Sequence, residues 1–124
     1  MTLSVAQIDR ETEQLVDEWL SLPEVAARLE LPLGRVKQLL KDHKLLGVRR
    51  GSGGPHVPAV FLDGKDVRKG LPGTLTVLQD AGYDDVEALR WLFTPDDSLP
   101  GTPMDAIKAG RHTEVKRRAQ ALAF

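Results

Sequence analysis

The chain has 124 residues, of which 41% are hydrophobic and 28% charged, with a formal net charge of −1; this fits one ordinary globular domain, or two small subdomains sharing a core, and excludes disorder along the whole length. It has no cysteine, which excludes disulfides, thiolate metal sites and cysteine nucleophiles, and no apolar run approaches the ~18 residues of a membrane span. Met1–Arg10 lacks the basic-then-apolar order of a secretion signal, so a cytoplasmic protein is expected.

In chain order, Thr2–Glu11 is polar and weakly periodic and reads as a loose arm. Glu13–Trp19 reads as a short helix with Leu15, Val16, Trp19 and Leu20 on one side. Ser21 has the character of an N-cap, with Glu24 three residues on completing a capping box and Pro23 tolerated in the first turn. The helix it opens presents Leu22, Val25, Ala26 and Leu29 at helical spacing. Leu31-Pro32-Leu33-Gly34 interrupts that pattern, and a second amphipathic stretch turns Val36, Leu39 and Leu40 inward and Arg35, Lys37, Gln38 and Lys41 outward. Val25, Leu29, Leu31, Val36 and Leu39 fall at the offsets of a helix-turn-helix, with the small Ala26 permitting close helix approach. The turn position often held by glycine is Glu30 here. Many αα-hairpins share such offsets, so a plain packing hairpin is the competing reading.

Leu45–Arg50 is strand-like, Gly51-Ser52-Gly53-Gly54-Pro55 is the strongest turn signal in the chain, and Val57–Leu62 reads as a returning strand that Pro58 confines to an edge or a strand start. A hairpin at this place is the wing of a winged helix-turn-helix. After a connector at Asp63–Gly73, four short helices are expected at Thr74–Ala81, Asp85–Phe93, Met104–Ala109 and His112–Leu122. The fold class is therefore α+β, mainly α: a winged helix-turn-helix with a helical C-terminal extension. It divides into residues 1–20 as a flexible arm with a short helix, 21–70 as the winged unit, and 71–124 as a helical subdomain packed on it.

Charge follows the same division. Residues 1–27 carry one base, Arg10, against Asp9, Glu11, Glu13, Asp17, Glu18 and Glu24, a net of −5. Residues 28–50 carry Arg28, Arg35, Lys37, Lys41, Lys44, Arg49 and Arg50 against only Glu30 and Asp42, a net of +5. A polyanion responds to the local field within ~8–10 Å rather than to the molecular sum. The major groove admits one helix whose side chains reach base edges, so Arg35, Lys37 and Gln38 are expected to contact bases. Lys41, Lys44, Arg49 and Arg50 are expected to contact phosphates, which position a protein without specifying sequence. His56 is either a wing-tip contact or a solvated turn residue, and His43 a helix-end residue. Exposed bases are usually a solvated helix face, so no single one of them decides the matter.

No enzyme is expected, and neither cofactor nor metal. His43, His56 and His112 are too far apart for a local metal motif. Asp84-Asp85 and Asp96-Asp97 read as acids at helix N-termini. The Gly-rich stretch joins two strands, whereas a phosphate-cradling loop opens a helix.

The segments Leu22-Pro23-Glu24-Val25-Ala26, Val48-Arg49-Arg50, Leu71-Pro72-Gly73, Gly82-Tyr83, Arg90-Trp91-Leu92-Phe93-Thr94-Pro95-Asp96 and Arg117-Arg118-Ala119-Gln120-Ala121 resemble an actinobacterial family of winged helix-turn-helix DNA-binding proteins. That family includes a mycobacterial regulator phosphorylated by a membrane Ser/Thr kinase, protein kinase L. The resemblance implies a winged-helix fold, double-stranded DNA as partner, a transcriptional or nucleoid-associated role, and a Ser/Thr kinase acting on the N-terminal arm. Only Thr2 and Thr12 are available there, and Thr12, between Glu11 and Glu13, is the candidate phosphorylation site. The pattern Trp91-Leu92, Pro95, Leu99, Gly101, Pro103, Gly110, Val115 more weakly resembles the toxin-binding domain of certain antitoxins, which implies a protein-interaction module as the alternative. The competing reading is that Trp91, Leu92, Phe93, Leu99, Ile107, Val115, Leu122 and Phe124 form a helical core. A homodimer is compatible with the sequence but not demanded by it.

Overall fold

A computed structural model describes residues 5–51 and 53–122. Its elements run α1 (Arg10–Glu13), β1 (Trp19–Ser21), α2 (Leu22–Leu29), α3 (Leu33–Lys41), β2 (Val48–Arg49), β3 (Pro55–Pro58), one 3₁₀ turn (Ala59–Phe61), β4 (Leu62–Asp63), β5 (Asp66–Val67), α4 (Leu71–Asp80), α5 (Asp85–Phe93), α6 (Pro103–Lys108) and α7 (His112–Ala121). The three-stranded antiparallel sheet has the order β1-β3-β2, with Trp19 opposite Pro58 and Val48 opposite His56. Two helices followed by a hairpin that returns to pair with a strand preceding them make a winged helix.

The start of α2 follows its sequence. The Ser21 side chain accepts from the Glu24 backbone, and Glu24 accepts in return from the Ser21 N–H at 2.9 Å. Both bonds satisfy donors that an uncapped helix leaves open. The α2 helix ends at Glu30, whose φ of 56° and ψ of 44° are left-handed. That conformation favours glycine, and its adoption by Glu30 explains how the tight turn survives without one.

Several expectations need correction. The returning strand read at Val57–Leu62 is instead β3 at Pro55–Pro58, and the chain then turns through the 3₁₀ segment Ala59–Phe61 into the separate β4–β5 pair. The helix read at Glu13–Trp19 is displaced to Arg10–Glu13, and Trp19 begins β1. Asp9 caps this shorter helix by accepting from the Thr12 N–H, while Trp19 and Leu20 are claimed by β3. Pro58 ends a central strand instead of marking an edge. The Ala59 N–H donates to Glu18 O at 2.9 Å, so by strand alternation the Pro58 nitrogen faces the β2 side, where β2 pairing stops at His56. Its missing donor costs no ladder bond there.

Four C-terminal helices occur close to where the sequence places them, though α4 begins at Leu71, three residues ahead of the expected Thr74 and inside the expected connector. Asp84 and Glu87 form a capping box on α5, as Thr102 and Asp105 do on α6. Asp96 instead shapes a turn, accepting from the Ser98 N–H at 2.9 Å. Gly70 opens α4 with φ 90°, and a Cβ there would lie 2.1 Å from the His112 Cβ. Only glycine lets the starts of α4 and α7 approach so closely.

Buried side chains from both halves form one continuous core, running from Val25, Val36, Val48 and Val57 through Phe61 to Leu71, Leu78, Leu89, Leu92, Met104 and Val115. Burying each such aliphatic or aromatic group stabilises the fold by ~1.5–3 kcal/mol. Leu92, Leu99, Ile107 and Val115 are buried in this core, and Trp91, Phe93 and Leu122 pack against it. The helical-core reading of these residues therefore describes the C-terminal half; Phe124 lies outside the described residues.

Candidate nucleic-acid interface

Helix α3 buries Val36 and Leu40 and half-buries Leu39. At 3.6 residues per turn the opposite side is formed by Gly34, Gln38 and Lys41, flanked by Lys37 on one edge and Arg35 and Asp42 on the other. All six are exposed. The residue before α3 is Pro32, and no side chain caps the helix, so the positive end of its dipole is open at the surface. Leu33, the first residue of α3, is 40% exposed. An apolar side chain standing in solvent at the tip of such a helix is suited to a thymine methyl.

Among the described residues Arg35, Lys37, Lys44 and Arg49 make no ion pair with the chain's own acids. Gln38 Nε2 donates to Asp42 Oδ1 at 2.9 Å. His43 closes α3 in a left-handed conformation, φ 58°, and its Nε2 lies 3.0 Å from the Gln79 amide nitrogen of α4. The C-terminal end of α3 is thereby tied to the helical half. Nearby Asp85 is half-buried in the same contact. Burial pushes its carboxyl above the usual aspartate range, against the pull of His43.

The two wing arginines have different surroundings. Arg49 is exposed on β2. Arg50 is turned inward: its Nε donates to Glu13 Oε1 at 2.9 Å, and its guanidinium carbon lies 5.2 Å from the Trp19 ring centroid. Ion pairing and cation–π stacking together hold it, so Arg50 is not grouped with the free cations. His56 lies on β3, half-buried, with Nδ1 2.8 Å from the Gly54 carbonyl at the wing tip. Ser52 of the tip lies outside the described residues.

The arm is docked where it was expected to be loose. Gln7 bridges to Arg49 in parallel, with Arg49 N–H donating to Ala6 O at 2.8 Å and Ile8 N–H to Arg49 O at 3.0 Å. Thr12 is 1% exposed. Its hydroxyl bonds Asp9 at 2.8 Å and accepts from Arg90 Nε of α5 at 3.2 Å, while Arg90 also reaches Asp9 at 3.3 Å. The bonds from Thr12 hold the Asp9 carboxyl below its ordinary range. Thr2 lies outside the described residues. Two of these contacts went unread in the sequence although their spacing is local: three residues for the Asp9–Thr12 cap and four for Gln38–Asp42. Nothing local signalled Glu13 and Trp19 as partners of Arg50.

Among the described residues no cluster of three His, Asp or Glu side chains could hold a metal, and no helix is long and apolar enough to cross a membrane.

Two family models match in tandem: "DNA-binding protein Rv2175c, wHTH domain" over residues 8–62 and "Rv2175c C-terminal domain of unknown function" over residues 68–123. The DNA-binding protein Rv2175c of Mycobacterium tuberculosis is 46% identical, with 83% of this chain and 79% of that protein covered. The NMR structure of Rv2175c superposes with a TM-score of 0.81 at 38% identity, covering 98% of this chain and 90% of that one. With both halves matched in order and the same three-dimensional arrangement, the chain belongs to the Rv2175c family of winged helix-turn-helix DNA-binding proteins.

Proposed function

We propose that this protein binds double-stranded DNA, with α3 in the major groove and the wing along the backbone, and acts as a transcriptional or nucleoid-associated regulator. The supporting observation is the outer face of α3, where Arg35, Lys37 and Gln38 stand in solvent and no acid among the described residues neutralises the two bases. Arg35 and Lys37 contact base edges, and Lys41, Lys44 and Arg49 neutralise phosphates. His56 supports the wing tip from beneath. Arg50 serves the protein's interior.

The test is a gel shift of the full chain on random duplex at low salt. Arg35→Ala or Lys37→Ala weakens binding to a preferred site by about 1–3 kcal/mol, whereas Lys44→Ala weakens all sequences alike. Absence of a shift at micromolar protein overturns the reading.

Control enters through the arm, whose Glu13 already competes for a wing cation. A kinase reaches the buried Thr12 hydroxyl only after the arm leaves α5. On redocking, the phosphoryl group would press against Asp9 and carry a dianion into a site that is 1% exposed, with Arg90 beside it as counter-charge; that desolvation cost keeps the arm from redocking. The freed acidic segment competes with DNA for the basic face. In a DNA titration, Thr12→Glu binds more weakly than the parent; equal affinities discard this mode of control.

A further inference from the structure

The Gln38–Asp42 contact has a consequence for sequence reading. We infer that Asp42 is a positioning residue that locks the Gln38 carboxamide in one orientation, so that it selects adenine on one strand and rejects the inverted pair. This rests on the major-groove placement of α3 proposed above.

The lock follows from donor and acceptor chemistry. An ionised carboxylate only accepts. Gln38 can therefore face Asp42 Oδ1, 2.9 Å away, only with its NH₂ end. Turning the amide over would set the carbonyl oxygen against the carboxylate, two acceptors with no proton between them. The contact uses one of the two amide protons and leaves the other, together with the carbonyl oxygen, available to a ligand.

That remaining pair is one donor and one acceptor side by side. Adenine offers its complement in the major groove, an N7 acceptor beside an N6 donor; guanine presents two acceptors, while thymine and cytosine each present one hydrogen-bonding group. A freely turning amide meets adenine from either direction. A fixed amide meets it in only one, so A·T and T·A become distinguishable at that step.

Geometry places Gln38 for this task. It lies opposite the buried Val36 and Leu40 stripe, on the most outward line of α3. One turn earlier on that line is Gly34, where a Cβ would meet nothing within 4 Å. No side chain at that position holds the helix away from the base edges. Asp42 also sets a negative charge beside the DNA, which opposes affinity for every sequence alike. An acid that lowers affinity while fixing a neighbour's orientation acts on discrimination.

The experiment uses the full chain and a duplex library selected by the parent protein, followed by competition between duplexes inverted at each selected A·T pair. The parent prefers A·T over T·A at one step by about fivefold or more, Asp42→Asn brings the two within about twofold, and Asp42→Glu, still acceptor-only, restores the preference. Asparagine offers either a donor or an acceptor, so it permits both amide orientations. Affinity of Asp42→Asn for random duplex equals or exceeds the parent's, an outcome that mere structural damage cannot produce. Retention of the full preference in Asp42→Asn overturns the role of Asp42 and leaves DNA binding standing. An equal loss of affinity across all sequences likewise overturns it, by assigning Asp42 to helix integrity. Failure of the parent to bind any duplex overturns the DNA reading itself.

Discussion

Arg49 and Arg50 are neighbours of equal charge in the wing, and a reading based on charge alone makes them interchangeable. The structure separates them. Among the described residues Arg49 has no acidic partner, whereas Arg50 is clamped between Glu13 at 2.9 Å and the Trp19 ring. A cation that contacts a phosphate releases condensed counterions, and each such contact contributes ~0.9 to the log–log dependence of affinity on salt. Arg49→Ala therefore makes the slope shallower by about 0.9. Across a fourfold salt increase, from about 50 to about 200 mM, the ratio of parent to variant affinity then falls by about 3.5-fold. Arg50→Ala leaves the slope unchanged, because its charge is already answered within the protein. Fluorescence anisotropy on one labelled duplex across that salt series measures both. Equal slope changes in the two variants would show that DNA displaces Glu13 and draws Arg50 out, which refutes the reasoning.

Other outcomes follow from the packing and the caps. Leu89, 0% exposed in the shared core, loses about 2–5 kcal/mol of stability as Leu89→Ala; in urea, Trp19 and Trp91 fluorescence, read separately in Trp91→Phe and Trp19→Phe backgrounds, should shift together, since both halves share one core. Gly70→Ala combines a left-handed φ of 90° with a 2.1 Å approach to His112 and lowers stability by more than ~1–2 kcal/mol in the same assay. Asp9, Glu24 and Asp96 are held below their ordinary values of 3.8, 4.5 and 3.8, chiefly by hydrogen bonds from Thr12, Ser21 and Ser98 respectively. Their folded forms resist protonation, so they contribute stability that is present above those values and lost as pH falls through and below them. Thermal melts between pH 3 and pH 6 record this loss, and Glu24→Gln makes the decline shallower; an unchanged decline in that variant removes Glu24 from the account.

What the sequence made legible was local. The capping box at Ser21 and Glu24, the spacing of Val25, Leu29, Val36 and Leu40, and the glycine cluster after Arg50 each lie within one or two turns of chain. The helix-turn-helix and its wing could be read from them. What escaped depends on distant partners. Leu15, Val16, Trp19 and Leu20 fit a helical stripe, yet Trp19 and Leu20 pair with Pro58 and Val57, and sheet formation overrides local periodicity. The docking of the arm joins residues 37 and 78 positions apart, Glu13 to Arg50 and Thr12 to Arg90. No pattern within residues 1–20 encodes those contacts. The exposure of Arg35, Lys37 and Gln38 on one face of α3 follows from helical spacing, whereas the pairing of Arg50 with Glu13 does not, because a charge tally cannot see which acid lies beside which base.

The parallel bridge between the arm and β2 also bears on the protein's behaviour at high concentration. A strand edge with open N–H and C=O groups is a template for a second chain. Residues 6–8 occupy that rim of the wing, taking both the donor and the acceptor of Arg49. Trimming the first nine residues would strip this cover and leave a short sticky border beside a glycine-rich tip, favouring self-association through intermolecular strand pairing. A segment that looks dispensable in the sequence thus covers the one β2 residue whose N–H and C=O it takes up, and light scattering of the trimmed chain would read the effect of uncovering it.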